Sequence, residues 1–287
     1  MLKTILLKLI PFSSLKILFL KLLGAQVGTG VTIGYFSTIH TKNYSNIIIG
    51  NYVEIGHNVN IKVSRLNIGN FSIICNDVDI HGNGNIVIGQ SCYVGEMNID
   101  TTGGISIGDF FACSYGNISS HDYSNTWFNP GEKYEKFNVE IGNRVWTGAS
   151  VSILNANIGD ESLIAGGSIV LSNLPNNSFA IGNPARVIKK NELKKIDKKL
   201  IHNEDFQNEI KNSYKKYNIG FVDELVNNKE VKNAKYDIII CNIFNTEYVD
   251  IISKPVISLV DGKIYNMKGF VLNLIRSFRA RGIFIKD

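Results

Sequence analysis

Isoleucine followed by glycine recurs along most of this chain at nearly regular intervals. The pair stands at positions 49–50, 68–69, 88–89, 107–108, 141–142, 158–159 and 181–182, so the successive spacings are 19, 20, 19, 34, 17 and 23. The next residue is each time a short polar or amide one: Asn51, Asn70, Gln90, Asp109, Asn143, Asp160 and Asn183. Self-similarity at a fixed period constrains the fold more strongly than any local propensity.

A period near eighteen residues corresponds to three units of six, each with one inward-pointing Ile, Val or Leu and a corner of small residues or of Asn and Asp. These corner residues tolerate left-handed backbone, which costs other residues roughly 1 kcal/mol or more. A single coil cannot bury its own inner face, so coils must stack, about 4.8 Å apart. The repeat therefore predicts a mainly β protein built as a triangular parallel β-helix. Ordinary globular packing of short strands is the alternative, and seven pairs in phase argue against it.

Three segments near the end of the repeat carry a family resemblance. Residues 146–149, 164–168 and 182–188 read WTGA, IAGGS and GNPARVI. They resemble the C-terminal signature of hexapeptide-repeat acyltransferases, and the resemblance covers about residues 25–190. It implies a left-handed parallel β-helix, transfer of an acetyl group from acetyl-CoA, and a homotrimer with active sites between subunits. Within the family, sugar and polysaccharide O-acetyltransferases are the nearest in character, including those that modify capsules of the polysialic acid type.

Composition shifts divide the chain into four regions. Residues 1–24 are an amphipathic helical segment, and residues 25–189 are the β-helix, from which a loop of about 121–138 is extruded. Residues 190–235 are expected to form a helix and a polar linker. Residues 236–287 are expected to form a small α/β appendage, with strands at 237–241, 256–260 and 283–285 and a helix at 268–281.

The N-terminal segment, residues 1–24, places leucines at helical spacing on both sides of Pro11 and contains lysines but no acidic residue. The lysines interrupt any membrane-spanning run, and no small-residue cleavage site follows as a signal peptide would require. Two interpretations remain open. The segment lies on an anionic membrane surface, or it caps the open end of the β-helix.

Net charge and cysteine usage narrow the class of protein further. A net charge of +5 permits an anionic cofactor or an acidic polymer, but no basic stripe interleaved with aromatics indicates nucleic acid. The four cysteines, at positions 75, 92, 113 and 241, show no CxxC spacing. We interpret them as reduced and structural, which is typical of a cytoplasmic protein.

The extruded loop begins at His121, the best match to the histidine that serves as general base in the resembled family. Transfer of an acetyl group to a hydroxyl needs a base near neutral pH, and imidazole fits that role. Asp122 is predicted to orient the ring. The aromatic residues Tyr123 and Trp127 are predicted to contact a sugar ring, and Arg144, with Lys133 and Lys136, to meet acceptor carboxylates.

The resemblance also implies the residues that contact acetyl-CoA. Trp146 would wall the slot for the thioester and serve catalysis as well as binding. Small residues would let the ligand approach the backbone, the end of the last coil would close the slot, and basic residues would pair with phosphates. This set comprises Trp146, Gly148, Ala165, Gly166, Pro184, Ala185, Arg186 and Lys189, with Lys190 beside it.

The sequence therefore predicts an acetyl-CoA-dependent O-acetyltransferase that acts on a bacterial surface glycan. An N-acetyltransferase for an amino sugar or small molecule and a non-catalytic glycan-binding β-helix are the alternatives. A covalent route through Cys113 is disfavoured because its repeat position predicts burial. No metal is expected, since His81 and His121 have no third histidine to complete a zinc site.

Overall fold

The computed structural model describes residues 2–190, 202–213, 219–225, 238–244, 256–258 and 263–265. The chain divides into two compact units, Met1–Leu193 and Lys194–Asp287. Short strands that wind into stacked coils make up most of the first unit, which confirms the mainly β class and the β-helix.

The first unit opens with two helices and the early coils. In chain order these are α1 (Leu2–Leu9), α2 (Ser13–Leu22), β1 (Gln26–Val27), β2 (Thr32–Ile33), β3 (Thr38–His40), a 3₁₀ turn (Tyr44–Asn46), β4 (Ile47–Ile49), β5 (Glu54–Ile55), β6 (Asn60–Lys62), β7 (Arg65–Ile68), β8 (Ile73–Ile74), β9 (Asp79–His81), β10 (Asn85–Ile88), β11 (Tyr93–Asp100), β12 (Ile105–Ile107) and β13 (Ala112–Ser119).

The loop and the later coils follow. They are β14 (His121–Asp122), α3 (Ser124–Phe128), β15 (Glu135–Lys136), β16 (Val139–Ile141), β17 (Trp146–Thr147), β18 (Val151–Leu154), β19 (Leu163–Ile164), β20 (Ile169–Val170), β21 (Ser178–Gly182) and β22 (Ala185–Lys190).

Strands of successive coils pair in parallel and form three faces. The first face runs β1-β4-β7-β10-β12-β16, the second runs β2-β5-β8-β11-β13-β17-β19-β21, and the third joins β3, β6 and β9 to β11, β13, β18 and β20. β11 and β13 turn the corner between the second and third faces, so each contributes to both. This arrangement is the triangular prism that the period of the repeat predicts. Its left hand remains what the resemblance implies.

The repeated isoleucines form a column inside the prism. Ile49 pairs with Ile68, and the column continues through Ile88, Ile107, Ile141 and Ile158. All of them are buried. Ile107 and Ile141 are in register despite the long interval between them in sequence, because the extra residues leave the coil as the extruded loop.

The glycine after each isoleucine is required by close packing between coils. A Cβ on Gly142 would lie 2.6 Å from the backbone nitrogen of Asp160, and one on Gly108 would lie 2.8 Å from the carbonyl carbon of Gly142. The left-handed residue is instead the second one after the glycine, as at Tyr52 and Arg144, where φ is 55°. The expectation that Gly, Asn and Asp supply this conformation is therefore wrong at this corner, where aromatic and charged residues also adopt it.

At several corners the polar residue that follows the glycine ties one coil to the next. The side-chain oxygen of Asn143 accepts a hydrogen bond from the backbone N–H of Asp109 at 2.9 Å, and that of Asp109 accepts one from Gln90 at 3.0 Å. Asp160 and Asn176 continue the series, accepting from Asn143 and Asp160. Each side chain satisfies a corner N–H that would otherwise lack a partner, which explains why amide and carboxylate residues recur here.

The last isoleucine–glycine pair does not belong to the repeat. Ile158 pairs with Leu174, so Leu174 and Pro175 occupy the place of the next pair in the column. Ile181 and Gly182 instead end β21, which pairs antiparallel with β22. This hairpin accounts for the irregular final spacing.

The N-terminal segment forms α1 and α2, which pack against the first coil. Leu7 and Leu20 are fully buried, and the ammonium group of Lys16 donates hydrogen bonds to the carbonyls of Gly34 and Ser37 at 2.7 and 3.1 Å. The two helices therefore cover the first coil, which is where the interpretation as a cap expects them. Neither helix, nor any other in the described part of the chain, is long and apolar enough to span a bilayer.

The second unit contains α4 (Glu204–Ser213) and the strands β23 (Ile219–Leu225), β24 (Ile238–Phe244), β25 (Val256–Ser258) and β26 (Lys263–Tyr265). β23, β24 and β25 are parallel, and β26 is antiparallel to β25. The prediction of a linker is wrong at residues 219–225, which form β23. This strand was not predicted because its run of apolar residues is short and lies between charged stretches. Residues 191–201 of the region expected to form a helix and a linker, the predicted helix at 268–281 and the predicted strand at 283–285 lie outside the described residues.

We expect the substitution Gly95→Ala to lower the free energy of unfolding by about 3 kcal/mol or more. A Cβ on Gly95 would overlap the backbone carbonyl oxygen of Ser114 in the next coil, so the coils would have to separate. Chemical denaturation measures the effect. Gly131→Ala is the control, because open space surrounds that loop residue and its positive φ costs only roughly 1 kcal/mol. Equal stabilities of the two variants would contradict this account of the packing.

Candidate active site

The extruded loop leaves the prism at the end of β13 and returns at β16. Its two ends form a short antiparallel ribbon in which His121 pairs with Lys136 and Asp122 with Glu135. The carbonyl of His121 also accepts a hydrogen bond from the hydroxyl of Ser119 at 3.2 Å. Because the rigid coil and this ribbon hold both sides of its backbone, His121 has a fixed position at the base of the loop.

Asp100 lies against the imidazole of His121. The carboxylate oxygen Oδ2 is 3.0 Å from Nδ1 of His121, and both side chains are largely buried. Asp100 ends β11, one coil below His121, so the stacking of coils brings the two together. A carboxylate at Nδ1 favours the proton on that nitrogen and leaves Nε2 as the acceptor.

A second histidine shares the same carboxylate. Nε2 of His81 is 3.6 Å from Oδ2 of Asp100, and Nδ1 of His81 is 3.0 Å from Oδ2 of Asp79. Carboxylates and imidazoles thus alternate across three coils, from Asp79 through His81 and Asp100 to His121. The sequence interpretation predicted His121 as the general base but considered His81 only as a possible metal ligand, and it missed Asp79 and Asp100.

Asp100 is held in its charged form. Burial disfavours its ionisation, but hydrogen bonds from Thr102 and the nearby imidazoles of His121 and His81 outweigh burial and lower the pKa of Asp100. The backbone N–H of Thr102 donates to Oδ1 at 2.8 Å. At neutral pH the histidine therefore faces a negative charge, which stabilises an imidazolium once His121 has accepted a proton.

The prediction that Asp122 orients His121 is wrong. Its carboxylate accepts a hydrogen bond from the backbone N–H of Ser124 at 2.7 Å, where α3 begins. The Asp122 side chain is partly exposed. Its pKa is lowered mainly by the hydrogen bond from the backbone of Ser124 and less by one from the side chain of Ser124. Neighbouring residues on extended chain point to opposite sides, so adjacency in sequence did not bring this carboxylate to Nδ1.

Two tyrosine rings lie beside the imidazole of His121. The ring centroid of Tyr123 lies 4.7 Å from that of His121, edge to face, and the centroid of Tyr134 lies at 6.2 Å. The two tyrosines also contact each other at 4.6 Å. Trp127 projects from α3 with 84% of its side chain exposed and makes no such ring contact among the described residues. The structure therefore brings Tyr123, but not Trp127, to the histidine.

Trp146 and the predicted cofactor residues gather elsewhere on the prism. Trp146 stands on the second face, half exposed, between Ala112 and Leu163 of the adjacent coils. Gly148, Ala165 and Gly166 follow at the corner toward the third face. The next coil leaves no room for a side chain at position 148, because a Cβ on Gly148 would lie 2.5 Å from the backbone nitrogen of Gly166.

The C-terminal hairpin carries the remaining predicted cofactor residues. Pro184 and Arg186 are exposed at its turn, and the ammonium group of Lys189 lies 5.1 Å above the ring of Phe179, in the column of the second face that contains Trp146. Ala185 is buried, so its side chain belongs to the core and cannot line a ligand site. Trp146 and Lys189 therefore share a face of the prism.

His121 and Trp146 lie at separate places on one copy of the prism. The third face, which β18 crosses from Val151 to Leu154, separates the corner at Gly148 from the edge where His121 stands. Four residues of strand span about 13 Å. The two groups of predicted site residues are thus not adjacent within one copy.

The structure disagrees with the prediction that Arg144 binds acceptor carboxylates. It agrees with the prediction that Cys113 is a buried, structural thiol. The guanidinium of Arg144 pairs with Glu161, so it is not free to meet an acceptor carboxylate. Burial raises the pKa of Cys113 to about 12, which agrees with the view that this thiol is structural. No set of three or more His, Cys, Asp and Glu side chains in the described residues has the arrangement of a metal site.

Comparison with known proteins finds similarity to acetyltransferases. No family model matches the chain. The chain is 36% identical over 110 residues to galactoside O-acetyltransferase of Escherichia coli K12. This alignment covers 37% of this chain and 54% of that enzyme. The chain is 51% identical over 53 residues to a Saccharomyces cerevisiae protein provisionally named as an acetyltransferase, covering 18% of this chain and 27% of that protein. The chain thus spans about half of one relative and about a quarter of the other.

Solved structures give a weaker likeness. The N-acyltransferase AntD of Bacillus cereus, determined in complex with dTDP and 3-hydroxybutyryl-CoA, aligns with a TM-score of 0.43 and 22% sequence identity. The alignment covers 71% of this chain and 98% of that structure.

Proposed function

We propose that this chain is a hexapeptide-repeat acyltransferase that transfers an acetyl group from acetyl-CoA to a hydroxyl of a saccharide. The contact between Asp100 and His121 at the base of the extruded loop is the observation that carries the proposal. It pairs a general base with a charged orienting group at the place where the prism opens to a loop. The similarity to galactoside O-acetyltransferase supports the choice of a sugar hydroxyl.

The reaction proceeds by direct transfer. Nε2 of His121 takes the proton of the acceptor hydroxyl while its oxygen attacks the carbonyl carbon of the thioester. Asp100 stabilises the imidazolium that forms. The tetrahedral intermediate then collapses, the bond from carbon to sulfur breaks, and the departing thiolate of coenzyme A takes the proton from Nε2. The products are an acetyl ester and coenzyme A, and the histidine returns to its starting state.

The thioester slot is proposed to form between two copies of the chain. Trp146, Lys189 and the corner at Gly148 and Gly166 offer an apolar wall, a cation and exposed backbone, which suit pantetheine and phosphate. Since the third face separates them from His121 on one copy, a neighbouring copy must bring the slot to the histidine. A homotrimer with three equivalent sites satisfies this need.

The acceptor is proposed to be a surface glycan such as a capsular polysaccharide or a lipopolysaccharide sugar. Tyr123 and Tyr134 form a wall beside His121, and Trp127 offers an exposed ring farther out on the loop. Flat aromatic faces suit sugar rings. Arg144 is left out of this proposal because it already pairs with Glu161. We also propose that the enzyme works in the cytoplasm, at the inner face of the membrane, which residues 1–22 contact.

Free-thiol release from acetyl-CoA tests the proposal. The full chain is incubated with galactosides, amino sugars and oligosaccharides, and we expect release that depends on an acceptor and yields an alkali-labile ester. An alkali-stable amide would favour N-acetyl transfer. Absence of release with every acceptor, together with no binding of coenzyme A, would leave a non-catalytic glycan-binding β-helix.

A further inference from the structure

The outer side of the N-terminal helices is apolar and exposed. While Leu7, Lys16 and Leu20 face the prism, seven large apolar side chains remain open to solvent: Ile5, Leu6, Leu9, Phe12, Leu15, Leu18 and Leu22. We call these seven residues the cap surface. Leu15, Leu18 and Leu22 follow at helical spacing and share one stripe of α2. Soluble proteins seldom leave so many apolar side chains together without a binding role.

The charged residues of the N-terminal segment are all positive. Lys3, Lys8 and Lys21 are exposed beside the cap surface. The first acidic residue of the sequence is Glu54, although the whole chain holds 25 acidic residues against 30 Lys and Arg. An apolar helix face in a segment whose only charges are lysines complements an anionic bilayer, where side chains enter the interface and lysines meet headgroups. A second copy of this chain would bring the same positive charges together.

We propose that the cap surface docks the protein end-on to an anionic lipid bilayer, with the axis of the β-helix standing away from the membrane. Docking itself does not depend on the chemistry at His121. One consequence does rest on the proposed function: β13, which leads to His121, lies four coils beyond the first coil, about 19 Å along the axis. The histidine would then meet a saccharide held off the bilayer, such as a lipid-linked glycan.

The exposed loop is the alternative membrane contact. Trp127 and Phe128 are 84% and 79% exposed, and aromatic residues favour membrane interfaces. The loop also contains the acids Asp122, Glu132 and Glu135, so its charge is mixed and does not complement anionic lipid. The charge pattern therefore favours the cap surface over the loop.

Binding to vesicles of phosphatidylcholine with and without phosphatidylglycerol tests the proposal. We expect the full chain to sediment with the anionic vesicles, weakly at high salt, and not with phosphatidylcholine alone. The variant Leu18→Ser/Leu22→Ser should bind about tenfold or more weakly. The matched control, Trp127→Ser/Phe128→Ser, removes two apolar side chains of the loop that are more exposed than Leu18 and Leu22, and it should bind like the native chain.

Fluorescence reports which end meets the lipid. The chain has two tryptophans, Trp127 and Trp146, and neither is near the cap surface in the coil order. We expect vesicles of brominated phosphatidylglycerol to leave their emission unchanged, and to quench a tryptophan introduced by Leu18→Trp. Quenching of the native tryptophans, or failure of the native chain to bind anionic vesicles, would overturn the proposal.

The same variants distinguish membrane docking from self-association through the cap surface. If Leu18→Ser/Leu22→Ser changes the oligomeric state in ultracentrifugation, a second copy occupies the cap surface and the proposal is wrong. Acetyl transfer to a soluble acceptor should be unchanged in this variant, and its circular dichroism should match the native chain. A native chain that binds vesicles but transfers no acetyl group would refute the proposed function and leave the docking intact.

Discussion

Replacing His121 with alanine is expected to lower kcat by about 10²- to 10⁴-fold and to leave the KM for acetyl-CoA nearly unchanged. In the proposed mechanism the imidazole acts on the acceptor hydroxyl in the transition state, whereas the proposed cofactor slot lies at Trp146 and Gly148. The loss should therefore fall on the chemical step. Steady-state kinetics with the best acceptor of the panel measures both constants.

A matched control uses a histidine outside the site. His202 is exposed in the second unit, so His202→Ala should keep native kinetics. Circular dichroism and coenzyme A binding establish that His121→Ala remains folded. Turnover near the native rate in His121→Ala would remove this residue from the mechanism, and the direct transfer step with it.

The period of the sequence was sufficient to predict the prism, because every coil places one branched residue at the same inward position. Ile49, Ile68 and Ile88 are buried in register as the spacing requires. The reason why glycine is required after each isoleucine could not be predicted in the same way. Coil-to-coil contact excludes a Cβ at Gly142, and only the stacked structure shows which backbone atoms lie opposite.

The site was predictable only in part for a related reason. The resemblance led to His121, and the aromatic content of the loop led to Tyr123. The orienting carboxylate was sought at the adjacent residue, Asp122, although in a β-helix the neighbours of a side chain stand about one coil away in sequence. Asp79, Asp100 and His121 are evenly spaced, and each step is close to the period of the repeat. That spacing was visible in the sequence, but the register of the irregular coil beside the loop was not.

Asp100→Asn is expected to lower kcat by about 10²-fold. Asparagine keeps the shape of the side chain and its acceptor for the N–H of Thr102. It removes the negative charge beside Nδ1 of His121, so the imidazolium formed in the transition state loses its partner. The amide can also present its NH₂ group to Nδ1, which favours the tautomer with the proton on Nε2 and blocks the base. Steady-state kinetics with saturating acetyl-CoA measures the loss.

Asp122→Asn is the matched control, since it makes the same chemical change one residue from the histidine. The Asp122 carboxylate accepts from the N–H of Ser124 and is not the group at Nδ1, so this variant should keep kcat within about threefold of the native value. A large loss in Asp122→Asn with native turnover in Asp100→Asn would reverse the assignment. Comparable losses in both would mean that the charge of the whole loop, rather than the one contact at 3.0 Å, supports catalysis at His121.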